Sequence, residues 1–68
     1  MTTTEQRAFF EAQIKSEELD GWKAETYAAA LKEAGCATER IEVFAKQSAD
    51  HKRIAAALQK QLDALPKE

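Results

Sequence analysis

A repeat of apolar and small residues between Thr38 and Leu65 is the feature that most constrains the fold. Its members recur at alternating intervals of three and four, the spacing of a helix face that packs along a neighbouring helix. This C-terminal seam consists of Ile41, Phe44, Ser48, His51, Ala55, Leu58, Leu62 and Leu65. At 1.5 Å per residue, a continuous helix over this stretch spans roughly 42 Å. The rest of the chain must therefore supply a surface of similar length.

The N-terminal half of the chain carries a matching stripe, the N-terminal seam. It consists of Phe10, Ile14, Glu17, Gly21, Ala24, Ala28 and Leu31. The stripe drifts by about 20° per heptad, a mismatch that a left-handed supercoil of helices absorbs. Two overlapping capping boxes, which begin at Thr2 and Thr3, place the start of the helix near Thr4. We therefore predict a first helix over residues 4–34.

The sequence Leu-Asp-Gly-Trp at residues 19–22 leaves an alternative open. It can end one helix and begin another, with Asp20 as the N-cap, which would give a three-helix bundle. A single glycine costs only about 1 kcal/mol inside a helix. One long helix also matches the length of the C-terminal seam better than two short ones. We therefore predict a continuous first helix, straight or kinked at Gly21.

The connection between the two helices is predicted at residues 35–38. Gly35 stands where a left-handed conformation commonly ends a helix. Thr38 is the expected N-cap of a second helix over residues 38–65. Because a turn this short forces the helices to run antiparallel, the chain should form a hairpin that sets Gly21 opposite His51.

The composition supports an all-α fold made of one domain, residues 1–68. Good helix formers dominate, and the chain has two glycines and one proline. Two helices cannot enclose a core, and a chain this short usually needs disulfides, a metal or oligomerisation. We therefore predict that two antiparallel helical hairpins form a four-helix bundle as a homodimer. The expected self-association residues are Tyr27, Val43, Ile54, Leu58, Leu62 and Leu65.

This plan resembles the Rop family of plasmid regulators, in which a helical hairpin dimerises into a four-helix bundle and binds RNA. The likeness lies in the architecture of the whole chain and involves no shared motif, so it carries no functional residue across. A Rop-like nucleic-acid binder is therefore one alternative function. Its contact surface would be the basic stripe at seven-residue intervals, Lys46, Arg53 and Lys60.

Other features of the sequence speak against nucleic-acid binding. The formal net charge of −2 provides no bulk attraction to a polyanion or a membrane. Acidic residues flank the basic stripe at helical spacing, which is typical of a solvated helix face. No aromatic residue is interleaved with the stripe for base stacking. We therefore expect neither nucleic acid nor membrane as a partner.

Residues with reactive side chains are sparse. One cysteine, Cys36, cannot form an intrachain disulfide, and this favours a reducing, cytoplasmic location. One histidine, His51, is interpreted as a neutral residue packed over Gly21, with a pH switch as the alternative. A single Cys and a single His do not provide the usual zinc ligand set. We therefore expect no enzymatic activity, no small-molecule substrate, no cofactor and no metal.

The strongest functional pattern is the pair Leu19 and Trp22, which lie three residues apart on one helix face. On a continuous first helix this face points away from the seam, and charged residues that include Glu18 and Asp20 surround it. A large exposed aromatic with a charged rim is typical of a protein-binding hot spot. The alternative is that a kink at Gly21 turns Trp22 into the bundle.

The function that follows is a small regulator, an adaptor or inhibitor that binds another protein. Self-contained chains of this size are common among phage and plasmid accessory proteins that act on a host factor, which is the class we expect. A purely structural assembly module is the remaining alternative. Such a module would bind no partner other than itself.

Overall fold

The computed structural model describes residues 1–67, which form two helices packed against each other. Helix α1 runs over Thr3–Glu33 and helix α2 over Thr38–Asp63. Hydrogen bonds from Arg7 to the Pro66 carbonyl and from Arg40 to the Tyr27 hydroxyl show that the helices are antiparallel. The described chain is a rod with Cα extents of 52 × 14 × 13 Å. The prediction of an all-α helical hairpin is confirmed.

Helix α1 passes through Gly21 without a break, so the three-helix alternative is wrong for this chain. Its 31 residues match α2 along nearly the whole rod. Gly21 remains helical because it lies in the seam, where a Cβ would already contact His51 of α2 and a longer side chain would have no space. The intrinsic cost of glycine in a helix is small compared with that of breaking the packed interface.

A capping box closes the N-terminus of α1. The Thr2 hydroxyl accepts a hydrogen bond from the Glu5 backbone N–H, and the Thr2 backbone N–H donates to the Glu5 carboxylate, both at 3.1 Å. Of the two overlapping boxes in the sequence, the one that begins at Thr2 forms. The hydrogen bond from the Thr2 backbone lowers the pKa of the Glu5 carboxyl, because it stabilises the charged form.

A Schellman motif ends α1. The Cys36 N–H donates to the Leu31 carbonyl at 3.0 Å, and the Gly35 N–H donates to the Lys32 carbonyl at 3.1 Å. Gly35 has a φ of 76°, the left-handed conformation predicted for it. The predicted N-cap of the second helix is wrong by one residue. Ala37 occupies the cap position without a side-chain hydrogen bond, so Thr38 is already helical.

Gly35→Ala should destabilise the protein by about 1 kcal/mol, since a Cβ disfavours the left-handed conformation. A Cβ built at Gly35 meets no atom within 4 Å, so the cost comes from the backbone alone. Gly35→Asn is the matched control, because asparagine tolerates this conformation better. Urea unfolding of the three chains measures the difference. An alanine variant as stable as the wild type would contradict this account of the turn.

Small residues dominate the buried part of the seams. The buried positions are Ile14, Gly21, Ala24, Ala28, Leu31, Ser48 and Ala55. The other members of both seams are half-buried, so the predicted stripes are the faces that meet. Within residues 1–67 no side chain is less than 2% exposed. This follows from the architecture, because each of two helices covers only one face of the other.

Candidate functional site

The middle of the rod holds a polar contact inside the seam. A Cβ built on Gly21 would lie 3.4 Å from the Cβ of His51, so the predicted pairing of these residues is confirmed. The His51 Nδ1 lies 2.5 Å from the Glu17 Oε2. The side chains of His51 and Glu17 are 31% and 21% exposed. The absence of a side chain at Gly21 therefore lets α2 carry an imidazole that reaches a carboxylate on α1.

Asp20 belongs to the same cluster. Ligand-type atoms of Glu17, Asp20 and His51 all lie within 4.8 Å of one another. The sequence pattern predicts Asp20 in the charged rim around Trp22. In the structure Asp20 is half-exposed and instead lines a groove between the helices, together with Tyr27 and His51. We call Glu17, Asp20 and His51 the mid-rod cluster.

The two sides of the hairpin differ in chemistry. The side that includes Asp20 also carries Tyr27, whose ring meets Phe44 edge-on at a centroid distance of 4.5 Å. Gln47 of α2 lines the same groove. Val43 lies four residues before Gln47 and Ile54 lies seven residues after it, so helical spacing places both on this side. Tyr27, Val43 and Ile54 are 44%, 52% and 44% exposed. We call this the apolar side.

The opposite side of the hairpin is charged and lined by small residues. Two grooves run along this side, and Lys52 lines both of them, one together with Glu18 and the other together with Glu25. The Lys52 ammonium is 3.2 Å from the Glu25 carboxylate. Alanines of α2 form the floor of these grooves: Ala45, Ala49, Ala55 and Ala56. This side therefore presents little large apolar surface to a second molecule.

The outer face of α1 carries the predicted hot spot. Trp22 is 61% exposed and Leu19 is 50% exposed. Because Trp22 is largely exposed, the alternative in which a kink turns it inward is wrong. Glu18, which is exposed, lies one helical turn before Trp22 and forms part of its rim. We call Leu19, Trp22 and Glu18 the tryptophan patch.

The basic stripe lies on the outside of α2. Lys46, Arg53 and Lys60 are all exposed. Arg53 forms an ion pair with Asp50 one turn before it, as expected for a solvated helix face. Neither helix within the described residues carries an apolar run long enough to cross a bilayer.

The mid-rod cluster is not predicted by the spacing of Cys and His ligands. The sequence patterns predict Glu17 in the seam and Asp20 in the rim around Trp22. A signal was present, because Glu17 and Asp20 stand three residues apart beside Gly21, and the hairpin register brings His51 there. Combining the register with carboxylate spacing would have identified the cluster.

No protein-family model matches this chain, and no curated protein or solved structure shows significant similarity to it.

Proposed function

We propose that this protein is a small non-enzymatic regulator that dimerises and binds another protein through the tryptophan patch. The observation that carries the proposal is Trp22, 61% exposed at the centre of an unbroken helix. Tryptophan is enriched among the residues that contribute most to binding at protein interfaces. An exposed tryptophan beside an exposed leucine therefore favours a protein partner.

The position of the patch favours a role separate from self-association. Leu19 and Trp22 lie on the outer face of α1, whereas the apolar side contains Tyr27, Val43 and Ile54. A second copy on the apolar side would leave the patch free. The dimer would then present two tryptophan patches, so that an adaptor or an inhibitor could engage its target twice.

The exposed area supports the dimer. The single chain exposes 5125 Å². A compact monomer of 7.6 kDa is expected to expose roughly 4,300 Å². The excess of roughly 800 Å² matches what each partner typically contributes to a stable protein interface. A four-helix bundle formed through the apolar side, with half-buried Leu58, Leu62 and Leu65 at its margin, is the assembly that we propose.

Trp22→Ala should weaken partner binding at least about 30-fold, since truncating a hot-spot residue costs about 2 kcal/mol or more. The immobilised wild-type chain is used to capture its partner from a lysate of the native host. The captured protein is then purified and titrated against both chains. Because Trp22 is exposed, the variant should keep the helicity of the wild type, which circular dichroism checks.

The control for this experiment is a variant in which Lys46, Arg53 and Lys60 are all replaced by alanine. It should capture the same protein with unchanged affinity. Equal binding by Trp22→Ala and the wild type would contradict the proposal. Loss of binding in the triple variant, with affinity that falls steeply as salt rises, would instead support the nucleic-acid alternative.

A further inference from the structure

We infer that the mid-rod cluster is a binding site for a divalent transition-metal ion, of which Zn²⁺ is the best fit. The ligands would be one carboxylate oxygen each from Glu17 and Asp20 and one imidazole nitrogen from His51. All three come from one chain and from two different helices. No ligand therefore has to come from a second copy or from a protein partner.

The distances within the cluster suit a metal. Zinc binds carboxylate oxygen and imidazole nitrogen at about 2.0–2.2 Å, so neighbouring ligands in a tetrahedral site lie roughly 3.4 Å apart. The three candidate atoms lie within 4.8 Å of one another, so they must converge by about an ångström. The His51–Glu17 contact of 2.5 Å must open by a similar amount. Rotation of these partly exposed side chains is sufficient for both movements.

The backbone holds the ligands in place. Glu17 and Asp20 stand three residues apart on α1, so they project from the same side of the helix. Gly21 lets the imidazole lie against α1, because a side chain longer than a Cβ would occupy the space beside His51 Cβ. The ligand set is therefore positioned by two packed helices rather than by a loop, which limits the cost of ordering it.

The charge of the cluster also matches a divalent ion. Glu17 and Asp20 place two acidic groups beside a partly buried seam. Burial of such charge is costly unless it is compensated. Lys23 is the one cationic side chain that lines the same groove. A divalent metal would neutralise the cluster, and in the single hairpin the open side of the groove would leave its fourth position to water.

The donor atoms select the class of metal. An imidazole nitrogen with two carboxylate oxygens suits zinc, cobalt and other first-row transition metals. Calcium and magnesium favour sites made of oxygen ligands alone. We therefore expect Zn²⁺ and Co²⁺ to bind, and a large excess of Mg²⁺ not to displace them.

Titration calorimetry with Zn²⁺ at neutral pH, using the full chain, tests the site. One ion should bind per chain, and thermal unfolding should shift to higher temperature when Zn²⁺ is present. Co²⁺ should give visible absorption bands that Zn²⁺ abolishes. Loss of an outer-sphere partner already weakens metal binding by about 10- to 100-fold. Asp20→Asn and His51→Ala, which remove ligands, should therefore weaken it at least as much.

Glu18→Gln is the matched control, because this neighbouring carboxylate lies outside the cluster. It should bind Zn²⁺ as the wild type does. Asp20→Asn preserves size and shape, so its result stands even if His51→Ala fails to fold. Absence of Zn²⁺ binding at millimolar concentration, or equal binding by Asp20→Asn and the wild type, would overturn the inference. Displacement by Mg²⁺ would overturn the assignment to a transition metal.

Discussion

Replacing Ile54 with aspartate is expected to separate the proposed dimer into single chains. The wild type should scatter light as a particle of about 15 kDa, twice the 7.6 kDa of one chain. Ile54 lies on the apolar side and is 44% exposed in the single hairpin. A carboxylate at position 54 would remain in contact with water in one hairpin, but it would be buried between two hairpins, which is unfavourable.

The expected size of this effect follows from burial. Covering an isoleucine side chain contributes about 2 kcal/mol, and the proposed dimer would cover two copies. Losing both weakens association by about 4 kcal/mol, or roughly 1,000-fold, before the cost of burying the new carboxylates is added. Because no side chain within residues 1–67 is fully buried in one hairpin, the separated chains should also lose helicity.

Leu19→Asp is the matched control for Ile54→Asp. Leu19 is similarly exposed, at 50%, but lies on the outer face of α1. This variant should keep the mass and helicity of the wild type. Light scattering and circular dichroism at micromolar concentration measure both properties. A wild-type protein that is fully folded at the mass of one chain would show that the hairpin is sufficient by itself.

A leucine at position 21 is expected to force the helices apart, whereas an alanine there should be tolerated. The added Cβ would meet His51 Cβ at 3.4 Å and the Ser48 carbonyl oxygen at 3.6 Å. These are ordinary contact distances, so alanine fits. The alanine also gains about 1 kcal/mol of helix propensity over glycine. Gly21→Ala should therefore be neutral or slightly stabilising.

The further atoms of leucine have no space in the seam. Overpacking a closely packed interface costs about 1–3 kcal/mol, and here it would also displace His51 from Glu17. We expect Gly21→Leu to be less stable than Gly21→Ala by about 3 kcal/mol in urea unfolding. Equal stability of the two variants would mean that the helices are not in close contact at Gly21. Because leucine is a good helix former, a large loss of stability in Gly21→Leu cannot be attributed to low helix propensity.

The helices and their connection could be predicted from local signals. Three-four spacing marked both seams, and the Thr2 capping box and Gly35 marked the ends of α1. Local rules also have limits, as the N-cap of α2 shows. Thr38 was the better capping residue by type, yet Ala37 occupies that position. The Schellman motif positions the chain as it leaves α1, and the backbone at Ala37 is already extended.

By itself, the sequence determined the all-α hairpin, the faces that meet and the pairing of Gly21 with His51. Periodicity and turn chemistry act over a few residues and can be read along the chain. Only the tertiary structure decided that α1 stays unbroken at Gly21, that Trp22 is exposed, and that Asp20 lies with His51 rather than with Trp22. Those outcomes depend on the rotation of each helix about its axis. That rotation is set by side chains distant in sequence that pack together.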